Sequence, residues 1–256
     1  MRDMRDFTLK IYRKVCSEVE NQGYVPIPIN DYCSGKAELN NKSIIFRHDV
    51  DRKIDMALMM AKMEYEMNIR ATYYFRYIPE VFKPSIIQKI KELNHEIGYH
   101  YEVLDKANGD HEQAILLFEK ELEHMREIAD VRTICMHGNP VKPWSNRDLW
   151  KTYDYRKFGI IGEPYLSIDY NKFVYLSDTG RTWSGKYSVK DVVDKTFSGK
   201  IRHTNEIITL MKSGNYSNIC LLVHPNRWSD DPVEWFSELI WQNIKNLGKP
   251  FLKRRS

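Results

Sequence analysis

One stretch constrains this chain more than any other. In Ser43-Ile44-Ile45-Phe46-Arg47-His48-Asp49-Val50-Asp51 an apolar run stops at four ionisable residues. A short apolar run of this kind reads as a buried parallel strand emerging at its carboxyl end. Barrels and open α/β sheets build their sites at that end. Asp49 and Asp51 are two positions apart, so on a strand both carboxylates project from one face. Held that close, they repel each other unless a cation sits beside them. The competing reading is a pair of loop aspartates capping the next helix.

The rest of the chain supplies partners for this pair. Ala71-Thr72-Tyr73-Tyr74-Phe75 is β-branched and aromatic, a second strand. His95 to Glu102 reads as a third, and Val131 to Gly138 as a fourth that ends at His137. Phe158 to Gly162 suggests a fifth and Phe173 to Leu176 a sixth. Ile219-Cys220-Leu221-Leu222-Val223-His224 is the most apolar strand, and it also ends at histidine. Between the strands, helical periodicity marks residues 54–65, 85–93, 110–129, 204–211 and 232–247. Asp110 caps one of these helices, Thr204 caps another, and Pro232 opens the last. The segment 177–200, rich in Ser, Gly, Asp and Lys, reads as a long loop at the site.

Strand and helix therefore alternate through most of the 256 residues. That pattern predicts an α/β fold with a parallel sheet covered by helices, in six or seven βα units of a single barrel. Residues 1–42 stand apart, as an amphipathic helix over 7–23 followed by a loop-like segment over 24–42. The expected division is an N-terminal helix and loop over 1–42, packed on a barrel domain over 43–256.

Composition narrows the setting. A formal net charge of +4 gives no reason to expect a nucleic-acid partner. The basic tail from Lys249 to Ser256 reads as solvated. No apolar stretch reaches membrane-spanning length, so stable membrane insertion is not expected. The N-terminus carries charges of both signs and no apolar signal-peptide core. Cys16, Cys33, Cys135 and Cys220 are scattered without a CxxC pair. These features predict a cytoplasmic, reduced protein without a zinc ribbon.

Asp49, Asp51, His100, His137 and His224 each stand at the end of an apolar run. In a parallel barrel those ends converge on one face. One Asp and two His with an open position suit a catalytic Zn²⁺ or similar divalent ion. A remaining carboxylate and histidine would then serve as general base and general acid.

With these residues in place, the chain resembles the polysaccharide deacetylases of the NodB-like type, carbohydrate esterase family 4. Phe46-Arg47-His48-Asp49-Val50-Asp51 resembles that family's first motif, and Ala71 to Phe75 its second strand. His95-Glu96-Ile97-Gly98-Tyr99-His100 is similar to its metal motif, and Leu221-Leu222-Val223-His224 to its last motif. The resemblance spans about residues 43–228 and is nearest a divergent branch with Arg-His-Asp-Val-Asp as its first motif, found with surface-polysaccharide biosynthesis. It implies a distorted (β/α)7 barrel. It further implies one divalent metal, zinc first, on Asp51 and His100, with Asp49 as base and His224 as acid. The family's second metal histidine falls at Leu104, which cannot ligate. His137, or else Glu102, becomes the candidate third ligand.

Around that centre, Ser177 to Trp183 is placed at the family's fourth motif. There Asp178 would orient a neighbouring histidine and Trp183 would offer a stacking face to a sugar. Arg47, Arg76, Arg181 and Arg227 near strand ends suit a phosphate or carboxylate on the substrate. Tyr99, with Tyr73 and Trp228, suits either barrel packing or a sugar platform. The expected activity is removal of an N-acyl group from a sugar, on a small-molecule or lipid-linked precursor of a surface polysaccharide. The alternatives are a catalytically degenerate saccharide-binding barrel and a metal-dependent phosphoesterase.

Overall fold

A computed structural model describes residues 5–39, 42–190, 193, 199 and 201–252. Helix α1 (Leu9–Asn21) opens the fold, capped by the Thr8 hydroxyl, which accepts from the Ile11 amide. The segment expected to be loop holds strand β1 (Val25–Pro26) and helix α2 (Ile29–Cys33). Two residues are too few for a period-2 signal, which is why β1 is invisible in the sequence.

The βα alternation then runs as expected: β2 (Ser43–Val50), α3 (Ile54–Glu66), β3 (Thr72–Phe75), α4 (Pro84–Glu92) and β4 (Glu96–Tyr101). A short α5 (Val103–Lys106) precedes α6 (His111–Arg126), whose N-cap Asp110 accepts from the Glu112 and Gln113 amides. Strand β5 (Ile134–Met136) follows. After α7 (Leu149–Thr152), the expected fifth strand is replaced by a 3₁₀ turn, Tyr155–Phe158, and a single bridge from Thr133 to Gly162. Gly159 there takes the left-handed backbone (φ 71°), which breaks an extended run. Helix α8 (Pro164–Ser167) and strand β6 (Val174–Ser177) come next.

The expected loop after β6 forms turns through residue 190; residues 191, 192, 194–198 and 200 lie outside the described residues, as do 1–4, 40, 41 and 253–256. Helix α9 (Thr204–Ser213) is not capped by Thr204. His203 holds the cap position, and the Thr204 amide instead donates to the Asp6 carboxylate at 3.1 Å. Strand β7 (Asn218–Val223) and helix α10 (Pro232–Leu252) complete the chain.

All seven strands belong to one parallel sheet of order β5-β4-β3-β2-β7-β6, with β1 pairing the start of β2. The sheet curls into a half-barrel with alternating helices. Side-chain alternation along β2 divides the interior. Ile44, Phe46 and Val50 join the layer between sheet and helices, whereas Ile45 joins an inner cluster with Tyr74, Cys135 and Leu222. Residues of the same parity as Ile45, Cys135 and Leu222 therefore point into the half-barrel. At the carboxyl ends these are Asp49, Asp51, His137 and His224. Among the described residues no helix is long and apolar enough to cross a membrane.

Candidate metal centre

Strand register sets the site. His100 on β4 lies beside Cys135 on β5, and His48 beside Val223 puts His224 next to Asp49 across β2 and β7. The Asp51 Oδ1 to His137 Nδ1 distance is 3.2 Å, Asp51 Oδ1 to His100 Nε2 is 3.5 Å, and His137 Nδ1 to His100 Nε2 is 3.3 Å. These three atoms bound one small space. Ligands at ~2.0–2.1 Å around a tetrahedral zinc are separated by edges of ~3.3 Å, so the triangle fits such an ion.

Two further observations support that fit. Asp51 Oδ1 is buried and makes no hydrogen bond. A polar atom left this way is costly unless something satisfies it. His100 Nδ1 lies 3.0 Å from the Cys135 carbonyl, which can only accept. The proton is thus held on Nδ1 and the Nε2 lone pair faces Asp51, the orientation that ligating histidines need. Burial works against the Asp51 charge, but the facing His137, His100 and His224 imidazoles together hold the carboxyl well below its ordinary range.

The alternative third ligand, Glu102, is committed elsewhere, and the position of the family's second metal histidine is apolar. Leu104 is fully buried in the apolar layer. Glu102 receives Arg76 through both oxygens, at 3.2 and 2.6 Å.

Asp49 occupies the next inward position. Arg47, itself inward and 0% exposed, grips it with Nε to Oδ1 at 2.9 Å and Nη2 to Oδ2 at 2.6 Å. Burial raises the Asp49 carboxyl, and the Arg47 charge and hydrogen bonds more than reverse this. The group is thereby kept ionised. A carboxylate has about four acceptor positions, so the fork of Arg47 leaves others open. His100 Nε2 stands 3.8 Å from Asp49 Oδ2.

His224 faces the centre from β7, with Nε2 3.9 Å from Asp51 Oδ2. Its Nδ1 lies 2.6 Å from Asp178 Oδ1. Asp178 is fully buried and also accepts from the His224 amide, Trp228 Nε1 and Arg227 Nη1. Burial raises its carboxyl, but Arg227 and His224 bring it below the ordinary value. The expected orienting role of Asp178 thus has a geometry.

The remaining substrate-binding expectations meet different placements. Arg47 is enclosed and committed to Asp49 and the Tyr165 hydroxyl (3.0 Å), so it cannot reach a substrate anion as expected. Tyr99 has the opposite parity to His100, and its hydroxyl donates to Glu121 on α6 in the helix layer. Trp183 is 5% exposed, stacked on Phe7 at 5.8 Å and bonded through Nε1 to the Thr204 hydroxyl. It offers no open face to a sugar. Arg181 lies over the Trp235 ring at 4.5 Å and donates to that residue's carbonyl at 3.0 Å. In each case periodicity of 2 or simple burial decides, and one sequence does not reveal burial for a residue near a turn.

Sequence reasoning missed Tyr165 as the second partner of Arg47. It also missed His48 as a buried partner of Glu64 (2.7 Å) on the helix side. The parity of His48, between Arg47 and Asp49, was the available signal for the second.

No family model and no curated protein matches this chain. Among solved structures, the chain is similar to a mutant of BA3943, described as a CE4 family pseudoenzyme. The identity is 12%, the coverage is 81% of this chain and 64% of the other, and the TM-score is 0.44. The chain thus spans just under two thirds of that protein. Bacillus subtilis PdaA, a family 4 carbohydrate esterase, is 13% identical over 91% of this chain and 83% of the other, with a TM-score of 0.44. Streptococcus pyogenes deacetylase PplD, solved with acetate, is 8% identical over 90% and 86%, with a TM-score of 0.41.

Proposed function

We propose that this protein is a metal-dependent hydrolase that removes an N-acyl group, acetyl first, from a sugar. The triangle of Asp51, His100 and His137 carries the reading, because its edges fit a tetrahedral ion and Asp51 Oδ1 otherwise lacks a partner. A divalent ion held there, zinc first, would polarise an acyl carbonyl and acidify a water. Asp49, kept ionised by Arg47 on both of its oxygens, accepts a proton at a remaining acceptor position of its carboxylate. His224 donates from Nε2 to the departing amine while Asp178 holds its Nδ1 proton. A base and an acid on neighbouring strands flanking one ion suit amide cleavage. The substrate in this reading is a sugar-containing small molecule or a lipid-linked precursor of a surface polysaccharide, handled in a reducing compartment. The four free cysteines are consistent with that setting.

The Arg47 grip favours a second reading, a barrel that binds saccharide without cleaving it, since a carboxylate forked by a guanidinium is a weaker base. Two measurements separate these. Protein purified without chelator should carry one metal per chain, and His100→Ala should remove it with the circular dichroism spectrum unchanged. The metal-loaded chain should release acetate from N-acetylated sugars and oligosaccharides. Metal without release supports the binding barrel; unchanged metal content in His100→Ala rejects the centre itself.

A further inference from the structure

The three residues of the centre are not held alike. His100 has its ring fixed, because Nδ1 faces the Cys135 carbonyl, and its side chain is only 2% exposed. Asp51 has its backbone fixed, because Arg76 Nη1 donates to its carbonyl at 3.2 Å. The His137 side chain is 19% exposed, and the residue lies one position past β5, the strand at one end of the sheet order. Its amide donates to the Tyr101 carbonyl at 2.8 Å, and the chain then leaves the sheet. A ligating ring is ordinarily fixed by a bond from its other nitrogen. His137 Nδ1 faces Asp51, and among the described residues its Nε2 has no such protein partner. Nδ1 is bonded to Cγ, so only two torsions separate it from the backbone. A displaced backbone therefore displaces that nitrogen directly.

The His137 backbone is gripped by Asn146. That residue is 2% exposed and begins a 3₁₀ turn, Asn146–Asp148, capped by the Ser145 hydroxyl. Its Nδ2 donates to the His137 carbonyl at 3.0 Å and to Asp105 Oδ2 at 3.0 Å. Its Oδ1 accepts from the Asp105 amide at 3.1 Å. Turned over, the side-chain amide would set oxygen against a carbonyl and a carboxylate, so its orientation is determined. Asp105 stands on α5, five positions after His100, and its Oδ1 accepts from Trp144 Nε1 at 2.8 Å. Asn146 thus ties the segment that follows one histidine to the backbone of the other.

Given the metal reading above, we propose that Asn146, which offers no ligand atom, is a positioning residue of this centre. Its bond to the His137 carbonyl, anchored on Asp105, holds His137 Nδ1 where it closes the triangle with Asp51 and His100. Ligands of a metal site must stand within ~0.5 Å of their productive places. Loss of an outer partner of this kind weakens metal affinity about 10–100-fold.

Zinc dissociation constants from competition with a chelating indicator, beside urea unfolding of the metal-free protein, test this on the full chain. Asn146→Ala should weaken zinc binding about 10–100-fold. Trp144→Phe removes a bond to Asp105 but leaves the one to His137, so it should keep wild-type affinity whatever its stability. The exchange Asp105→Asn/Asn146→Asp leaves net charge unchanged. Its new amide at 105 can donate to its new carboxylate at 146, which rebuilds the anchor, but an oxygen now faces the His137 carbonyl. Metal-free, this variant should unfold closer to the wild type than Asn146→Ala does, yet bind zinc about 10–100-fold more weakly. Loaded with Co²⁺, it should show an altered visible spectrum. Wild-type affinity in Asn146→Ala or in the exchange variant overturns the role of Asn146. An equal loss in Trp144→Phe and Asn146→Ala also overturns it, by making general firmness of the loop the cause. These two single variants decide the matter even where the exchange variant does not fold. A wild type that binds no zinc rejects the centre itself, and the role of Asn146 with it.

Discussion

His224 Nδ1 and Asp178 Oδ1 lie 2.6 Å apart, although 46 positions separate the two residues in the chain. Asp178 fixes the imidazole by two routes, through the ring nitrogen and through the backbone amide at 3.0 Å. Trp228 Nε1 donates to Asp178 Oδ2 and Arg227 Nη1 to Oδ1, the same oxygens that face His224, and Arg227 Nη1 also lies 2.8 Å from His224 Nδ1. The ring cannot turn without breaking this set, so Nε2 stays directed toward Asp51.

This arrangement makes Asp178→Asn a test of proton delivery separate from metal binding. An amide can present its NH₂ to Nδ1, which would move the ring proton to Nε2 or tilt the ring. A positioned acid contributes ~10²–10⁴-fold, so kcat should fall by that order while KM changes little. Metal content should stay at the wild-type level. Loss of metal in the same variant would place His224 among the ligands.

Arg47 and Asp49 form an ion pair with side-chain exposures of 0% and 2%. Removing one partner leaves the other charge buried alone, which costs about 3–5 kcal/mol. Arg47→Met should therefore destabilise by that amount in urea unfolding. Arg47→Met/Asp49→Leu should cost clearly less than the two single changes added together. Strict additivity would mean that the pair contributes nothing beyond its separate packing.

The legible parts of this fold are those with a period. Ser43 to Asp51 announced a strand and a site because an apolar run met charge, and β4, β5 and β7 were readable for the same reason. The convergence of Asp51, His100 and His137 followed from strand ends sharing one face. Substrate contacts were not readable, because exposure near a strand end depends on turns. Arg181 sits in the left-handed region (φ 57°), and its guanidinium lies over the Trp235 ring. Trp183 is covered by Phe7 from the far end of the chain, a contact that no local pattern encodes.

Gly98 illustrates a residue whose type is dictated by the inner wall. A Cβ there would lie 2.3 Å from Tyr74 Cε1 and 3.1 Å from the Thr133 carbonyl. The Tyr74 ring cannot swing aside freely, since its hydroxyl donates to Thr133 Oγ1 at 3.0 Å. Gly98→Ala should destabilise by about 1–3 kcal/mol through overpacking. It should also lower metal occupancy, because His100 is two residues along the same strand. A variant as stable as the wild type, with full metal, would show that the wall yields.

Beneath the sheet, Glu64 on α3 is 0% exposed and faces His48 Nε2 at 2.7 Å. The Tyr73 hydroxyl donates to it at 2.7 Å, and the Tyr12 hydroxyl donates to its other oxygen. Burial raises the Glu64 carboxyl, but His48, His95 and the donating Tyr12 together leave it below its ordinary value of 4.5. A carboxyl depressed in the folded state binds fewer protons there than in the unfolded chain. Its contribution is therefore present in full above the unfolded value and is lost as pH falls through the folded one. Glu64→Gln removes this group from the balance. Urea unfolding from neutral pH down to about pH 3 should show the wild type losing stability below ~4.5 more steeply than the variant, by up to ~1.4 kcal/mol per pH unit. At neutral pH the variant should be the less stable, because the amide offers a donor where His48 and both tyrosines also donate. Asp49, Asp51 and Asp178 are depressed as well, so some acid dependence should persist in Glu64→Gln. Equal slopes in the two proteins would mean that Glu64 titrates alike folded and unfolded, and that its partners do not hold its charge.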